Sequence, residues 1–411
     1  MKKTTPGAID EWRSHFMLPV AAAFGYATSV IHIYGFSPFI VPVSSAFGWS
    51  RTQTTIGLTI ATLIQALMSV PVGLAVDRYG PRVLGVIGVL LSVSAFALIG
   101  TASGSTANWV LLWLVMALAT LPVQATIWTS AVASRFERSR GLAFAVTLCG
   151  ASIAQMFFPY VGARLIAAYG WERAFTYQAG IWIALAFPLI FLFFRGARDS
   201  RRRDEPALAS LSTGMSFAEG LRSSVYLRLL LTSLMLTFAM VALSFHFVPM
   251  LTAKGKTATE AAGIAALIGL ASLVGRLGTG LLIDRFRASL IGGLVFVLPA
   301  AGALVLIGSD GAGAGPMLAA VLIGLTLGAE IDVLVYILTR HFGLKNFGAL
   351  YGAILAALSI GTAIGPLVAA NVFDRTGRYD AFLWGTVALM LASSAALFSL
   401  PHPPEALDQA T

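Results

Sequence analysis

Polar and apolar positions alternate along this chain in blocks, not in single steps. Apolar stretches of about 20–28 residues recur at 16–41, 54–76, 82–102, 108–133, 141–168, 173–194, 226–251, 260–283, 289–308, 314–339, 347–372 and 379–400. Short polar segments rich in Gly, Pro, Arg and Asp separate them. About 20 apolar residues span a hydrocarbon core roughly 30 Å thick. Backbone N–H and C=O groups in lipid must be bonded within the segment, so each block is expected to be a helix. A membrane β-barrel would show roughly 10-residue segments of strict alternation, and the continuous runs exclude it. The pattern predicts an all-α membrane protein with 12 transmembrane helices. The first apolar run follows 15 polar residues and is too long for a signal-peptide core, so it is read as a retained span.

Composition agrees. Of 411 residues, 57% are apolar and 11% charged, against about 25% charged in a soluble protein. That excludes a soluble enzyme, a disordered chain and a disulfide scaffold; Cys149 is the one cysteine. The formal charge of +9 could suggest a nucleic-acid partner. Its distribution points elsewhere. With the N-terminus inside, 19 Lys and Arg fall on cytoplasmic segments, seven on outer ones, and one, Arg276, within a span. By the positive-inside rule both termini are expected in the cytoplasm of a cell-membrane (plasma or inner membrane) protein. The lipid bilayer is then its environment, and no nucleic-acid partner is expected.

The longest polar stretch, 195–225, divides the chain into a bundle at 1–194 and a bundle at 226–400, with a short tail at 401–411. The two bundles echo each other. Gly73-Leu74-Ala75-Val76-Asp77-Arg78 follows the second span, and Gly280-Leu281-Leu282-Ile283-Asp284-Arg285 follows the eighth, 207 residues later. The same offset relates Gly141 to Gly348, Pro159 to Pro366 and Gly170 to Gly377. Parallel six-helix repeats are a known transporter architecture.

These residues resemble the major facilitator superfamily over essentially the whole chain. The family's loop signature stands here as Gly73, Leu74, Ala75, Asp77, Arg78, Gly80 and Arg82, with a weaker copy from Gly280 to Arg285. Phe47-Gly48-Trp49-Ser50-Arg51, together with Arg276 in span eight, is similar to the monocarboxylate transporter and oxalate/formate antiporter branch. The resemblance implies two pseudo-symmetric six-helix halves, alternating access, and an arginine in span eight that binds a substrate carboxylate. It also implies interdomain gating contacts for the loop charges Asp77, Arg78, Arg82, Asp284 and Arg285, with Arg135, Arg138 and Arg140 as candidate partners. The oxalate-type members carry a lysine in span eleven, where this chain has Ala356, Ala357 and Leu358. That departure argues against dicarboxylate exchange.

Read from the residues themselves, three ionisable groups lie deep in apolar spans: Arg276, Glu330 and Asp332. Each costs about 2.5–3.5 kcal/mol at the bilayer centre, so they are expected to pair or to face water. All three fall about 10–14 Å from the cytoplasmic boundary at ~1.5 Å per residue. Residues 330 and 332 lie about 200° apart on a helix, so both cannot face one partner. One reading is a plain ion pair that locks the second half together. The other is a switch: an acid neutralises Arg276 when the site is empty, and its protonation frees the planar guanidinium for a carboxylate. Depth favours Asp332 as the proton carrier, with Glu330 left open. Further candidates for the cavity are Thr28 and His32 on a small-residue stripe with Gly25 and Gly35, then Gln124 and Trp128 at i and i+4, and Tyr336. His246 is a candidate for an outer gate.

No nucleotide-binding loop, zinc-protease or nucleophile-elbow signature occurs. The chain is therefore expected not to be an enzyme and to use no cofactor and no metal. The expected function is secondary transport of a small organic monocarboxylate with a proton, by a monomer. The rival readings are a proton-coupled exporter of drugs or amphipathic compounds, and a membrane receptor or scaffold. The second would need a signalling domain larger than the linker and tail supply.

Overall fold

The protein is described by a computed structural model covering residues 8–136, 139–196, 217–283, 285–311, 313–342 and 347–402. Among these residues it is all helix, with no strand. The helices are α1 (Ala8–His15), α2 (Met17–Ser29), α3 (Ile40–Phe47), α4 (Arg51–Leu67), α5 (Ser69–Tyr79), α6 (Pro81–Ile99), α7 (Thr106–Ala119), α8 (Ala125–Ala133), α9 (Arg140–Tyr169) and α10 (Trp171–Phe193). There follow α11 (Phe217–Arg222), α12 (Ser224–Ala253), α13 (Ala258–Ile283), α14 (Ala288–Gly308), α15 (Gly315–Phe342), α16 (Phe347–Thr376) and α17 (Asp380–Phe398). Among the described residues, nine helices are long and apolar enough to cross a membrane, and two bent pairs raise that to eleven. The pair α4–α5 covers the remaining predicted span. The protein is a multi-pass membrane protein.

Three predicted spans are broken. The span at 16–41 stops at Val30, continues as a π-helical turn over Ile31–Gly35 and a 3-10 turn over Ser37–Phe39, and bends by 51°. The span at 108–133 bends by 40° at Leu121–Val123, and the span at 54–76 is interrupted at Met68. In the first two, Pro38 and Pro122 begin the short turn. Proline has no N–H to give the preceding turn, yet its fixed φ suits a helix start. Pro159, Pro188, Pro249, Pro299 and Pro366 sit inside continuous helices.

The chain forms two compact units, Met1–Trp49 with Ile60–Glu205, and Ser50–Thr59 with Pro206–Thr411. Helix boundaries repeat at the offset read from the sequence: Arg140–Tyr169 in the first unit maps onto Phe347–Thr376 in the second. Packing repeats too. Within the first unit α2 runs along α9 and α6 along α10. Within the second, α12 runs along α16 and α14 along α17.

In the second unit α13 and α15 touch backbone to backbone. A Cβ on Gly275 would overlap the Leu325 carbonyl, one on Gly324 that of Ile268, and one on Gly328 that of Ser272. Lipid offers no hydrophobic drive between helices, so association comes from this kind of close van der Waals contact. Gly361 and Gly365 seat α16 on the α12 carbonyls of Leu234 and Phe238 in the same way. The outward face of α13 is greasy: Leu270, Val274, Leu277 and Leu281 are exposed. Its opposite face buries Ser272, Gly275, Arg276 and Thr279.

The α13–α15 seam yields a direct comparison. Gly275→Leu should destabilise the fold by about 1–3 kcal/mol, the usual cost of overpacking. Gly278→Leu, where a Cβ would meet nothing within 4 Å, should leave thermal unfolding in detergent unchanged.

Candidate functional site

The seam between α13 and α15 positions the buried charges. Because Gly328 lets the helices meet, residues one turn further along α15 lie opposite Arg276. The Arg276 Nη1 donates to both oxygens of Asp332, at 3.4 Å to Oδ1 and 3.3 Å to Oδ2. Arg276 is 7% exposed and the Asp332 side chain 34%. This is a long, single-nitrogen contact, and it lacks the paired parallel bonds of a full arginine–carboxylate fork. The Arg276 Nε is buried and has no hydrogen-bond partner among the described residues. On the other side of α15, Glu330 is buried and its Oε2 also has no hydrogen-bond partner. The arrangement is an arginine only partly neutralised, beside one half-open acid and one closed one.

Tyr336, one turn beyond Asp332, is engaged elsewhere. Its hydroxyl accepts from Arg340 Nε at 3.3 Å and Nη2 at 3.1 Å, and the Arg340 guanidinium lies 5.3 Å from its ring centroid. His246, in α12, is fully buried and bonded at both nitrogens, to the Tyr379 hydroxyl (3.0 Å) and the Pro366 carbonyl (2.9 Å).

In the first unit the expected candidates meet different fates. Gln124 and Trp128 do not share a helical face. Gln124 has φ −57° and ψ 156°, and α8 begins only at the next residue. Its amide donates to the Gln65 carbonyl at 3.1 Å. Trp128 is a core residue at 0% exposure. Its indole donates to Val123 O at 2.7 Å, and its ring fills the space left by Gly25 and Gly85. The small-residue stripe on the first span is likewise interrupted, because the π-helical turn shifts the register after Val30. Thr28 accepts the Trp182 indole N–H at 2.9 Å and donates to Phe24 O at 3.0 Å. His32, inside the π-turn, is buried near the Ser29 backbone, and neither ring nitrogen has a partner in good hydrogen-bond geometry among the described residues. A π-turn within an α-helix is a frequent mark of a functional position.

Of the loop charges, Arg78 is exposed and lies 5.4 Å from the Tyr79 ring centroid. Arg82 donates to the Phe191 carbonyl at 3.1 Å. Arg285 is exposed, and Arg135 donates to the Gly196 carbonyl at 3.2 Å. The Asp77 and Arg140 side chains, and Asp284 and Arg138 altogether, lie outside the described residues.

Several engaged residues carried no motif. Glu11, in α1, accepts from the Ser139 amide (3.1 Å) and hydroxyl (2.7 Å), capping the start of α9. Next to it Trp12 and His15 pack on Phe136. Burial and then the Arg135 charge pull the His15 imidazole below its usual range, with Glu11 pulling the other way. Asp374, which carried no motif, caps the helix that starts at Arg51, the last residue of the Phe47–Arg51 run; an acid is favoured at a helix start.

The family model described as Major Facilitator Superfamily matches residues 22–366. The chain belongs to the Major Facilitator Superfamily. It is therefore a transporter-family protein, and its relatives vary in what they are named for. It is 26% identical over 275 residues to the MFS transporter asaE of Aspergillus flavus, covering 66% of this chain and 60% of that protein. It is 25% identical over 351 residues to monocarboxylate transporter 13 of Bos taurus, covering 81% and 76%. It is 28% identical over 357 residues to a chloramphenicol resistance protein of Streptomyces lividans, covering 82% and 85%. Among solved structures, a bacterial homolog of the human lysosomal transporter Spinster, inward-facing and occupied, superposes with TM-score 0.66 at 18% identity over 94% of both chains. That likeness extends the superfamily's fold to nearly the whole chain.

The packing assignments can be separated by stability. Trp128→Ala should cost about 3–5 kcal/mol, as for a fully buried tryptophan. Tyr336→Phe, which removes only a hydroxyl shared with Arg340, should cost about 1 kcal/mol or less. Thermal unfolding of the purified variants measures both.

Proposed function

We propose that this protein carries a small organic monocarboxylate across the membrane together with a proton, as a secondary transporter. The observation that carries the reading is Arg276: a permanently charged group, buried in a spanning helix, whose Nε has no partner among the described residues and whose contact with Asp332 is long. A guanidinium in that state offers a ready fork for a second carboxylate.

In this reading Asp332 neutralises Arg276 when no substrate is bound. A proton on Asp332 removes that charge, and the substrate anion replaces it on Arg276. One proton and one monoanion then cross with no net charge, so neither traverses hydrocarbon as a bare ion. Glu330 lies beside them as a second acid able to hold a proton. The same reading places the protein in the cell membrane with both termini in the cytoplasm, working as a monomer. The bovine relative's name supports the cargo class, and the absence of a span-eleven lysine favours a single carboxylate.

A second reading draws on the Streptomyces relative: export of a drug-like compound, with Arg276 and Asp332 as a proton-responsive pair only. The two readings separate in proteoliposomes. Uptake of labelled monocarboxylates should rise with an imposed pH gradient, inside alkaline. Arg276→Ala should abolish it, and Arg276→Lys should reduce it at least about tenfold, because a point charge does not replace a planar fork. Normal uptake by a folded Arg276→Ala protein excludes the carboxylate clamp. A thermal shift with amphipathic drugs and none with carboxylates favours export.

A further inference from the structure

The first turns of α4 belong to the second unit, and a small set of side chains holds them there. Asp374, near the end of α16, accepts from the Arg51 amide at 2.8 Å and the Thr52 amide at 2.7 Å. One carboxylate thus caps two of the N–H groups that a helix start leaves unbonded, at the positive end of the helix dipole. The Arg51 guanidinium lies 3.4 Å from the Phe373 ring centroid, and its Nη1 donates to the Tyr379 hydroxyl at 2.5 Å. That hydroxyl is 3.0 Å from His246 Nδ1, and His246 Nε2 is 2.9 Å from the Pro366 carbonyl. Two turns along α4, the Thr59 hydroxyl donates to Ala363 O at 2.7 Å.

The proton count of this chain is determined by its ends. A carbonyl only accepts, so His246 Nε2 carries the hydrogen it gives to Pro366. The Tyr379 oxygen accepts from Arg51, and its own hydrogen points to Nδ1, which must therefore be bare. Tyr379 keeps that hydrogen, because a phenol is protonated throughout the neutral range. The network is complete only with a neutral His246. A proton on Nδ1 would aim two donors at one oxygen and strand the phenol hydrogen. It would also set an imidazolium across that oxygen from Arg51, in a site where His246 is fully buried.

The charges acting on the ring are those of Arg51, from α4, and Asp374, from α16. Before α17, Arg378 pairs with Asp380 at 2.7 Å. Just after α12, Lys254 donates to the Ser309 carbonyl at 2.6 Å. No other charged group enters the chain of bonds described.

We propose that His246 is a proton-binding switch on the hold of α4: a neutral ring closes the Arg51–Tyr379–Asp374 clamp, and a protonated ring releases it. The sign follows from the geometry. The closed clamp binds one proton fewer at His246 than the released one, so acid favours release and alkali favours closure. The inference stands apart from the cargo assignment and does not use Arg276.

Hydrogen–deuterium exchange of residues 51–59, in the full chain in lipid nanodiscs, reads the clamp. Protection, corrected for the intrinsic pH dependence of exchange, should fall about tenfold between about pH 8 and about pH 5. His246→Gln keeps a hydrogen-bonding amide that does not titrate, so protection should persist and the pH response vanish. Tyr379→Phe severs Arg51 from the ring, so the pH response should again vanish while Asp374 still caps α4. Equal protection of the unmodified protein at both acidities overturns the proposal. So does a pH response that survives in His246→Gln, which would assign the titration to Asp374.

Discussion

An arginine that cannot lose its charge is placed within a membrane-spanning helix, and the second unit is organised around accommodating it. On α13 every exposed large residue along one face is aliphatic, while Arg276 lies on the opposite face with Ser272, Gly275 and Thr279. The glycines of the α13–α15 seam matter for the same reason. Only with Gly275, Gly324 and Gly328 bare of side chains do the two backbones approach closely enough for Asp332 to reach the guanidinium. Packing and electrostatics are here one constraint: a small-residue seam, whose gain is van der Waals contact, also delivers the counter-charge that makes a buried cation tolerable.

The Arg276–Asp332 pairing is long and incomplete. A purely structural buried ion pair is stabilising only when its geometry is excellent and its remaining donors are bonded. Arg276 reaches Asp332 through one nitrogen at 3.3 Å, and its Nε has no partner among the described residues. Asp332 is the more accessible partner, at 34% against 7% for Arg276. His246 occupies a contrasting environment. Both its nitrogens are bonded, through a chain that ends in Arg51 and Asp374 at the start of α4. The Arg276 pair is thus under-bonded, whereas His246 is bonded at both nitrogens.

The architecture was legible from the apolar blocks, because lipid forces every backbone group into a helix and block length alone then locates the spans. The repeat was legible as well. The 207-residue offset found in short motifs reappears as matching helix ends in α9 and α16. Breaks within spans were not legible. Pro38 and Pro122 interrupt helices, whereas Pro159, Pro249 and Pro366 sit inside continuous ones. Whether a proline ends a helix depends on neighbours that replace the lost bond, and those belong to other parts of the chain. The expected face of Gln124 and Trp128 failed for this reason.

By itself the sequence determined which stretches form long apolar helices, which charges lie within them, and that two similar bundles exist. These follow from local composition and spacing, which the surrounding solvent reads directly. Only the tertiary structure decided which acid meets Arg276, that Trp128 is packing and not lining, and that Arg51 and Asp374, 323 residues apart, form one helix cap. Such contacts depend on how closely two helices approach and how far each is rotated, and a fraction of a turn exchanges one neighbour for another. No local pattern encodes that rotation, because it is set by side chains on both helices at once.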